Sequence, residues 1–127
     1  DPRSLFRGNY ARLNYDISMP PSNLYTGQLI LRENELLYVS LVENKEGFDE
    51  ASNITLSKPE NGLFIRGRLV HRRWGGSGDI RIRYGIEAFF AQKDDALALE
   101  RELRDGGIAI VMLASNGKAA LQDVVGK

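Results

Sequence analysis

The clearest structural signal in the chain lies at residues 63–70, which read LFIRGRLV. Ile65 and Leu69 fall on one side of an extended chain, and Arg66 and Arg68 fall on the other. Successive side chains of a β-strand point to opposite faces of the sheet. The segment therefore predicts a strand with one buried apolar face and one basic face.

Short apolar segments of similar character recur along the chain, and turn residues separate them about every ten residues, which is typical of antiparallel β proteins. Strands are predicted at Ala11–Ile17, Gln28–Leu31, Leu36–Val42, Asn53–Leu56, Leu63–Val70, Ile80–Ile86, Ile108–Ala114 and Ala119–Val125. A hairpin turn is predicted at Glu33–Glu35, between the strands at 28–31 and 36–42, and further turns are predicted at Pro59–Gly62 and Asn116-Gly117. The last pair favours a two-residue hairpin loop, because both of its positions tolerate positive φ.

Residues 94–105 have a different periodicity. Leu99 and Leu103 recur there at helical spacing. Asp94 or Asp95 can cap the start of a helix, and Gly106 can end it. The sequence therefore predicts an α+β fold that is mostly antiparallel β, as a sheet or partly closed barrel, with one α-helix near residues 94–105.

The composition excludes some kinds of functional site and disfavours some kinds of partner. The chain has 127 residues, of which 43% are hydrophobic, and 17 basic residues balance 17 acidic ones. This balance does not favour nucleic acid as a partner. Because there is no cysteine and one histidine, thiol nucleophiles, disulfides and zinc–thiolate sites are excluded, and neither a metal nor a cofactor is predicted.

No targeting or membrane segment is visible. No apolar run approaches the ~18 residues of a transmembrane helix. No linker or repeat divides the chain, so residues 1–127 are predicted to form a single soluble domain. The start at Asp1 without a methionine indicates a piece excised from a longer protein.

A basic cluster is the main candidate for a binding site. If the strands at 63–70 and 80–86 pair as a hairpin, four arginines lie on one sheet face: Arg66, Arg68, Arg81 and Arg83. Like charges directly across a ladder cost up to about 1 kcal/mol per pair. Two explanations for how this repulsion is offset stay open. Carboxylates from residues 33–50 can neutralise the arginines, or an anionic ligand or acidic partner can dock on the face.

The loop between these strands is a weaker candidate. Residues 74–78 read WGGSG, which lacks the Gly-Lys-Ser/Thr ending of a phosphate loop and precedes a strand. A flexible hairpin loop is therefore predicted, with Trp74 as either a contact for a partner or a lid on the core. His71 lies beside arginines and has no evident second ligand, so it is not predicted to bind metal or to act as a base.

One short segment suggests catalysis. Ser18-Met19-Pro20-Pro21 is similar to the Ser-Met-x-Pro pattern around the nucleophile of type I signal peptidases. Those enzymes place a lysine base on a later strand, where this sequence has Arg66, and arginine stays protonated. A hydrolase on a signal-peptidase-like β scaffold is therefore only an alternative.

Residues 8–15 read GNYARLNY and resemble the signature of the GDYXXLXY family of bacterial proteins. The residues that agree are Gly8, Tyr10, Leu13 and Tyr15, whereas Asn9 stands where the family pattern has Asp. Further along, FIRGR at 64–68 and RYGIE at 83–87 follow in the family's order, so the resemblance covers almost the whole chain.

The resemblance implies a small extracytoplasmic domain on an N-terminal membrane helix, and hence a protein anchored in the cell membrane by a segment absent from this chain. The motif itself is interpreted as structural. Gly8 can supply a positive φ before a strand, and Asn9 keeps the turn-forming ability of Asp without its charge.

These observations predict a non-catalytic module that binds a protein or an anionic ligand through the four arginines, with Trp74 as a further contact. A hydrolase and a purely structural spacer are the alternatives. An enzyme requires a concave pocket that gathers polar residues such as Asp16, Ser18 or His71, whereas a binding module requires an open patch.

Overall fold

Eight β-strands form the framework of the computed structural model, which describes residues 3–9, 14–70, 80–86 and 107–126. In chain order they are β1 (Arg3–Asn9), β2 (Asn14–Tyr15), β3 (Leu36–Glu43), β4 (Asp49–Thr55), β5 (Phe64–Leu69), β6 (Ile82–Arg83), β7 (Gly107–Leu113) and β8 (Ala119–Gly126). Short 3₁₀ turns at Asp16–Ser18 and Ser22–Leu24 are the helical segments of this part of the chain. Within it, no helix has the length and apolar character needed to span a bilayer.

The strands form two four-stranded antiparallel sheets. The first has the order β2-β1-β7-β8, and the second has the order β4-β3-β5-β6. The predicted antiparallel β architecture is confirmed. The partly closed barrel is wrong for the described strands, because they divide into two separate sheets. The α-helix predicted near residues 94–105 lies outside the described residues and stays a prediction.

One hydrophobic core joins the two sheets. Alternate residues of β3 and β5 in the second sheet, such as Leu37 and Ile65, are fully buried, as are Val111 and Leu113 of β7 in the first sheet. Each fully buried aliphatic side chain of this kind contributes about 1.5–3 kcal/mol relative to an exposed one. The period-two alternation of the sequence therefore determines which face of each strand points inward.

Two hairpins close with the same three-residue loop. In the β3–β4 hairpin, the Asn44 N–H donates to the Phe48 carbonyl at 2.7 Å, and Gly47 has a φ of 86°. In the β7–β8 hairpin, the Ala114 N–H donates to the Lys118 carbonyl at 3.0 Å, and Gly117 also has a φ of 86°. This is the type I turn followed by a left-handed residue.

The predicted hairpin at Asn116-Gly117 is therefore confirmed, but its two-residue loop is wrong. Gly117 adopts positive φ and Asn116 does not, so the loop includes Ser115. The turn at Glu33–Glu35 exists, with Asn34 at a φ of 64°, but it leads into β3 instead of joining two strands. The turn at residues 59–62 joins β4 to β5, which lie on either side of β3.

Four predicted strands differ from the structure. Ile80–Ile86 is reduced to β6 (Ile82–Arg83), and Asn53–Leu56 covers only the end of β4 (Asp49–Thr55). The other two are Ala11–Ile17 and Gln28–Leu31. Within Ala11–Ile17, the described strand is limited to Asn14–Tyr15, and the chain then enters a 3₁₀ turn ahead of Pro20 and Pro21, which have no N–H for a ladder. Gln28–Leu31 is an irregular loop. The Tyr25 hydroxyl donates to the Leu29 carbonyl at 2.7 Å, and Ile30 is 91% exposed, whereas Tyr25 and Leu31 at the two ends of the loop pack against the core.

Candidate anion-binding face

The pairing of β5 with β6 places the arginine strands side by side, as predicted. Arg68 lies directly opposite Arg83, and Leu69 lies opposite Ile82. A Cβ atom at Gly67 would clash with Ile82 Cγ2 and would lie 2.9 Å from the Arg83 carbonyl oxygen. Glycine at this position therefore allows β6 to approach β5 closely, which brings the two arginines together.

Burial alternates along both segments. Ile65, Gly67 and Leu69 of β5 are buried, and so are Ile80, Ile82 and Tyr84 in and beside β6. The residues between them point to the outer side: Arg66 is half-buried, and Arg68, Arg81 and Arg83 are exposed. We call these four residues the arginine face.

Two hydrogen bonds hold the β6 segment in place. The Val70 N–H donates to the Arg81 carbonyl at 2.8 Å and extends the pairing beyond β6. The Tyr84 hydroxyl donates to the Ile17 carbonyl at 2.5 Å in the core, across 67 residues of sequence. The arginine face therefore rests on a segment tied both to its neighbouring strand and to the first 3₁₀ turn.

The arginine face is not neutralised by carboxylates within the described part of the chain. Arg68 Nη1 donates to the Asn34 carbonyl at 3.1 Å, and no ion pair joins any of the four guanidinium groups to a described Asp or Glu side chain. Glu33 also has an interaction partner. The neutralisation of the arginines by carboxylates of the same chain, which the sequence suggested, is thus not observed among these residues.

Aromatic side chains flank the arginines. Across the β3–β5 ladder, Tyr38 lies opposite Arg66. The rings of Tyr38 and Phe64 are 5.8 Å apart at an interplanar angle of 67°, an edge-to-face contact. These two aromatic residues were missed by the sequence analysis, because their position beside the arginines depends on the register of β3 against β5.

The β7–β8 turn docks on the edge of β5. The Arg66 N–H donates to the Gly117 carbonyl at 2.8 Å. A Cβ atom at Gly117 would lie 2.7 Å from Phe64 Cε2. This contact fixes the first half of β5, where β6 does not extend, and it ties the arginine face to the other sheet.

A groove lies at the end of the arginine face nearest to the start of β3. Its volume is about 480 Å³. It is lined by Glu33, Asn34, Arg68, Leu69, Val70 and Arg83. Arg66 and Arg81 belong to the same face but do not line this groove.

A second cavity of about 340 Å³ lies between the first 3₁₀ turn and the β3–β4 hairpin. Asp16 lines it together with Glu46, Asp49 and Glu50, three of the carboxylates that the sequence offered as partners for the arginines. Within the described residues, no group of three or more His, Cys, Asp or Glu side chains is arranged to hold a metal ion.

The polar residues named for an enzyme do not meet in this cavity. Asp16 lines it, but Ser18 is 6% exposed and is not part of the lining. His71 lies outside the described residues, and so does Trp74 with its glycine-rich loop.

The GNYARLNY segment forms a strand pair. Gly8 and Asn9 end β1 and pair with Tyr15 and Asn14 of β2, whereas Tyr10 and Leu13 lie outside the described residues. The expectation that Gly8 precedes a strand is wrong, because Gly8 lies within β1 between two partner strands. Its neighbour on the other side is Gly107, which in turn pairs with Gly126.

Comparison with known proteins gives one family. A family model described as GDYXXLXY protein matches residues 1–124. No curated protein and no solved structure shows a significant match to the chain.

Proposed function

The chain belongs to the GDYXXLXY protein family, and we propose that it is a non-catalytic binding domain of a membrane-anchored protein. The anchor and the extracytoplasmic location are what the family resemblance implies. The ligand is an anionic group, carried by a protein or by a smaller molecule, and the arginine face recognises it.

One observation carries this proposal. Four arginines share one outer sheet face, and within the described residues none of them is paired with a carboxylate. The directly opposed Arg68 and Arg83 repel each other. An anionic ligand would remove that repulsion and form charge-assisted hydrogen bonds, which are about twice as strong as neutral ones.

The surroundings of the face support binding more than a purely structural role. Arg66 lies beside the Tyr38–Phe64 ring pair, so a charged and an aromatic surface are continuous there. Arginine and aromatic residues are enriched at the energetically dominant positions of protein interfaces. A structural spacer would need neither feature on its outer face.

A defined acidic probe tests the proposal. Immobilised poly-glutamate is presented to the 127-residue chain, and binding is measured by biolayer interferometry at several salt concentrations. The double variant R66E/R83E is compared with R32E/K58E, which changes the net charge equally at two exposed positions outside the face. The face variant is expected to bind at least about tenfold more weakly, because each lost charge-assisted hydrogen bond contributes about 1.5–3 kcal/mol.

The control decides the interpretation. R32E/K58E is expected to retain binding within about threefold of wild type, because only the overall charge changes. Equal losses in the two double variants would show that binding follows net charge and not the arginine face. That outcome would overturn the proposal, and so would an absence of binding by the wild-type chain.

A further inference from the structure

Within the arginine face, Arg68 and Arg83 differ from the other two arginines in two respects. They are directly opposite each other in the β5–β6 ladder. Both line the groove of about 480 Å³, which Arg66 and Arg81 do not. In addition, the guanidinium group of Arg68 is held by a carbonyl oxygen at the groove wall.

The backbone around the groove keeps that wall in place. Asn34 has a φ of 64°, a left-handed conformation that asparagine tolerates better than most residues. Its N–H donates to the Leu69 carbonyl at 2.8 Å, and the Leu69 N–H donates to the Glu35 carbonyl at 2.9 Å. The carbonyl of Asn34 is thereby fixed where it accepts from Arg68 Nη1.

This arrangement places at one concave site two guanidinium groups that have no carboxylate partner among the described residues. A guanidinium group presents up to five N–H donors in a planar fork. Arg68 uses one donor on Asn34 and keeps the others for a ligand. Two forks together carry two positive charges, which match a tetrahedral dianion better than they match a single carboxylate.

We propose that the Arg68–Arg83 groove is a binding site for a phosphate monoester or a similar doubly charged oxyanion. This inference rests on the proposed function and names the chemical group that the arginine face recognises. Glu33 also lines the groove, and it has an interaction partner. The dianion would sit between the two guanidinium groups and replace their mutual repulsion with two attractive contacts.

Inorganic phosphate is the probe for this site. It is titrated into the isotope-labelled 127-residue chain at constant ionic strength, and the arginine Nε–Hε signals are followed by NMR. The signals of Arg68 and Arg83 are expected to shift, and those of Arg66 and Arg81 are expected to move little. Sodium acetate at equal ionic strength is the control for a singly charged anion.

Single variants of the same face give a matched comparison. R68Q and R83Q are each expected to weaken phosphate binding at least about tenfold, and R66Q and R81Q within about threefold. All four positions lie on exposed or half-buried outer surface, so the fold tolerates glutamine at each. Equal effects of the four variants, or equal shifts of the four arginine signals, would overturn the groove as a phosphate site.

Two further arms identify the source of the phosphate group. Glycerol 3-phosphate represents a soluble monoester, and vesicles that contain phosphatidic acid represent a lipid headgroup. Binding of either one supports the site and assigns its source. If neither these nor inorganic phosphate binds, the groove is not a phosphate site, whereas poly-glutamate binding that depends on Arg66 and Arg83 would leave the proposed function intact.

Discussion

Replacing Gly117 with alanine tests how the β7–β8 turn supports the arginine strand. Gly117 has a φ of 86°, which costs an L-residue about 1–2 kcal/mol. A Cβ atom there would lie 2.7 Å from Phe64 Cε2 and 3.1 Å from the Arg66 nitrogen, at a buried position. Overpacking of this kind typically costs about 1–3 kcal/mol more.

The expected loss of unfolding free energy for Gly117→Ala is therefore about 3 kcal/mol. The Gly117 carbonyl also accepts from Arg66 at 2.8 Å, and a shift of the turn would weaken that bond, which contributes about 1 kcal/mol. A loss of 3 kcal/mol is a large part of the 5–15 kcal/mol of stability that is typical of a domain.

Gly47→Ala is the matched control. Gly47 has the same φ of 86° in the equivalent turn of the β3–β4 hairpin, but no atom lies within 4 Å of a Cβ placed there. This variant has only the backbone cost and is expected to lose about 1 kcal/mol.

Equilibrium unfolding in urea measures both values, and the difference isolates the contact with Phe64 and Arg66. If the two variants lose the same free energy within about 0.5 kcal/mol, the docking of the turn on β5 contributes nothing and the reasoning is wrong.

Two further substitutions test the support of β6. Tyr84→Phe removes the hydroxyl donor to the buried Ile17 carbonyl and should lower the unfolding free energy, measured in urea, by about 1–3 kcal/mol. The control Tyr38→Phe, on the outer face, should change it by less than about 0.5 kcal/mol. Gly67→Ala forces β6 away from β5, so it should lower the unfolding free energy by about 2–4 kcal/mol and also weaken phosphate binding. Gly62→Ala is the control: there is open space around its Cβ, so it should lower the unfolding free energy by about 1 kcal/mol and leave phosphate binding unchanged. Normal phosphate affinity in Gly67→Ala would contradict the dependence of the groove on close β5–β6 packing.

Local alternation of the sequence predicted which side of each strand is buried, but it did not predict which strands lie next to each other in a sheet. The pattern around Arg66 and around Arg83 identified the outward side of both segments, because period two is a property of the extended chain itself. The position of β3 between β4 and β5 depends on tertiary pairing, which no local pattern specifies. The strand β1 was missed because arginine, serine and glycine interrupt its apolar residues.

The candidate site was likewise predictable only in part. Four arginines on one face followed from spacing and one assumed pairing, which the register of Arg68 against Arg83 confirms. The groove was not predictable, because it depends on a contact between Asn34 and Arg68, which are 34 residues apart in the sequence. Likewise, Gly117 was recognised as a turn residue, but its contact with Phe64 belongs to the packing of one sheet against the other.

The location of two arginines at the border of a sheet has a consequence for self-association. Among the strands that the structure describes, β6 is the last in the order β4-β3-β5-β6, is two residues long, and carries the exposed side chain of Arg83, with exposed Arg81 just ahead of it. Short, charged border strands resist pairing with the strands of another molecule, which protects a protein from aggregation. Apolar replacements at these positions would therefore lower solubility as well as ligand affinity, and charged or amide replacements are the ones that separate recognition from aggregation.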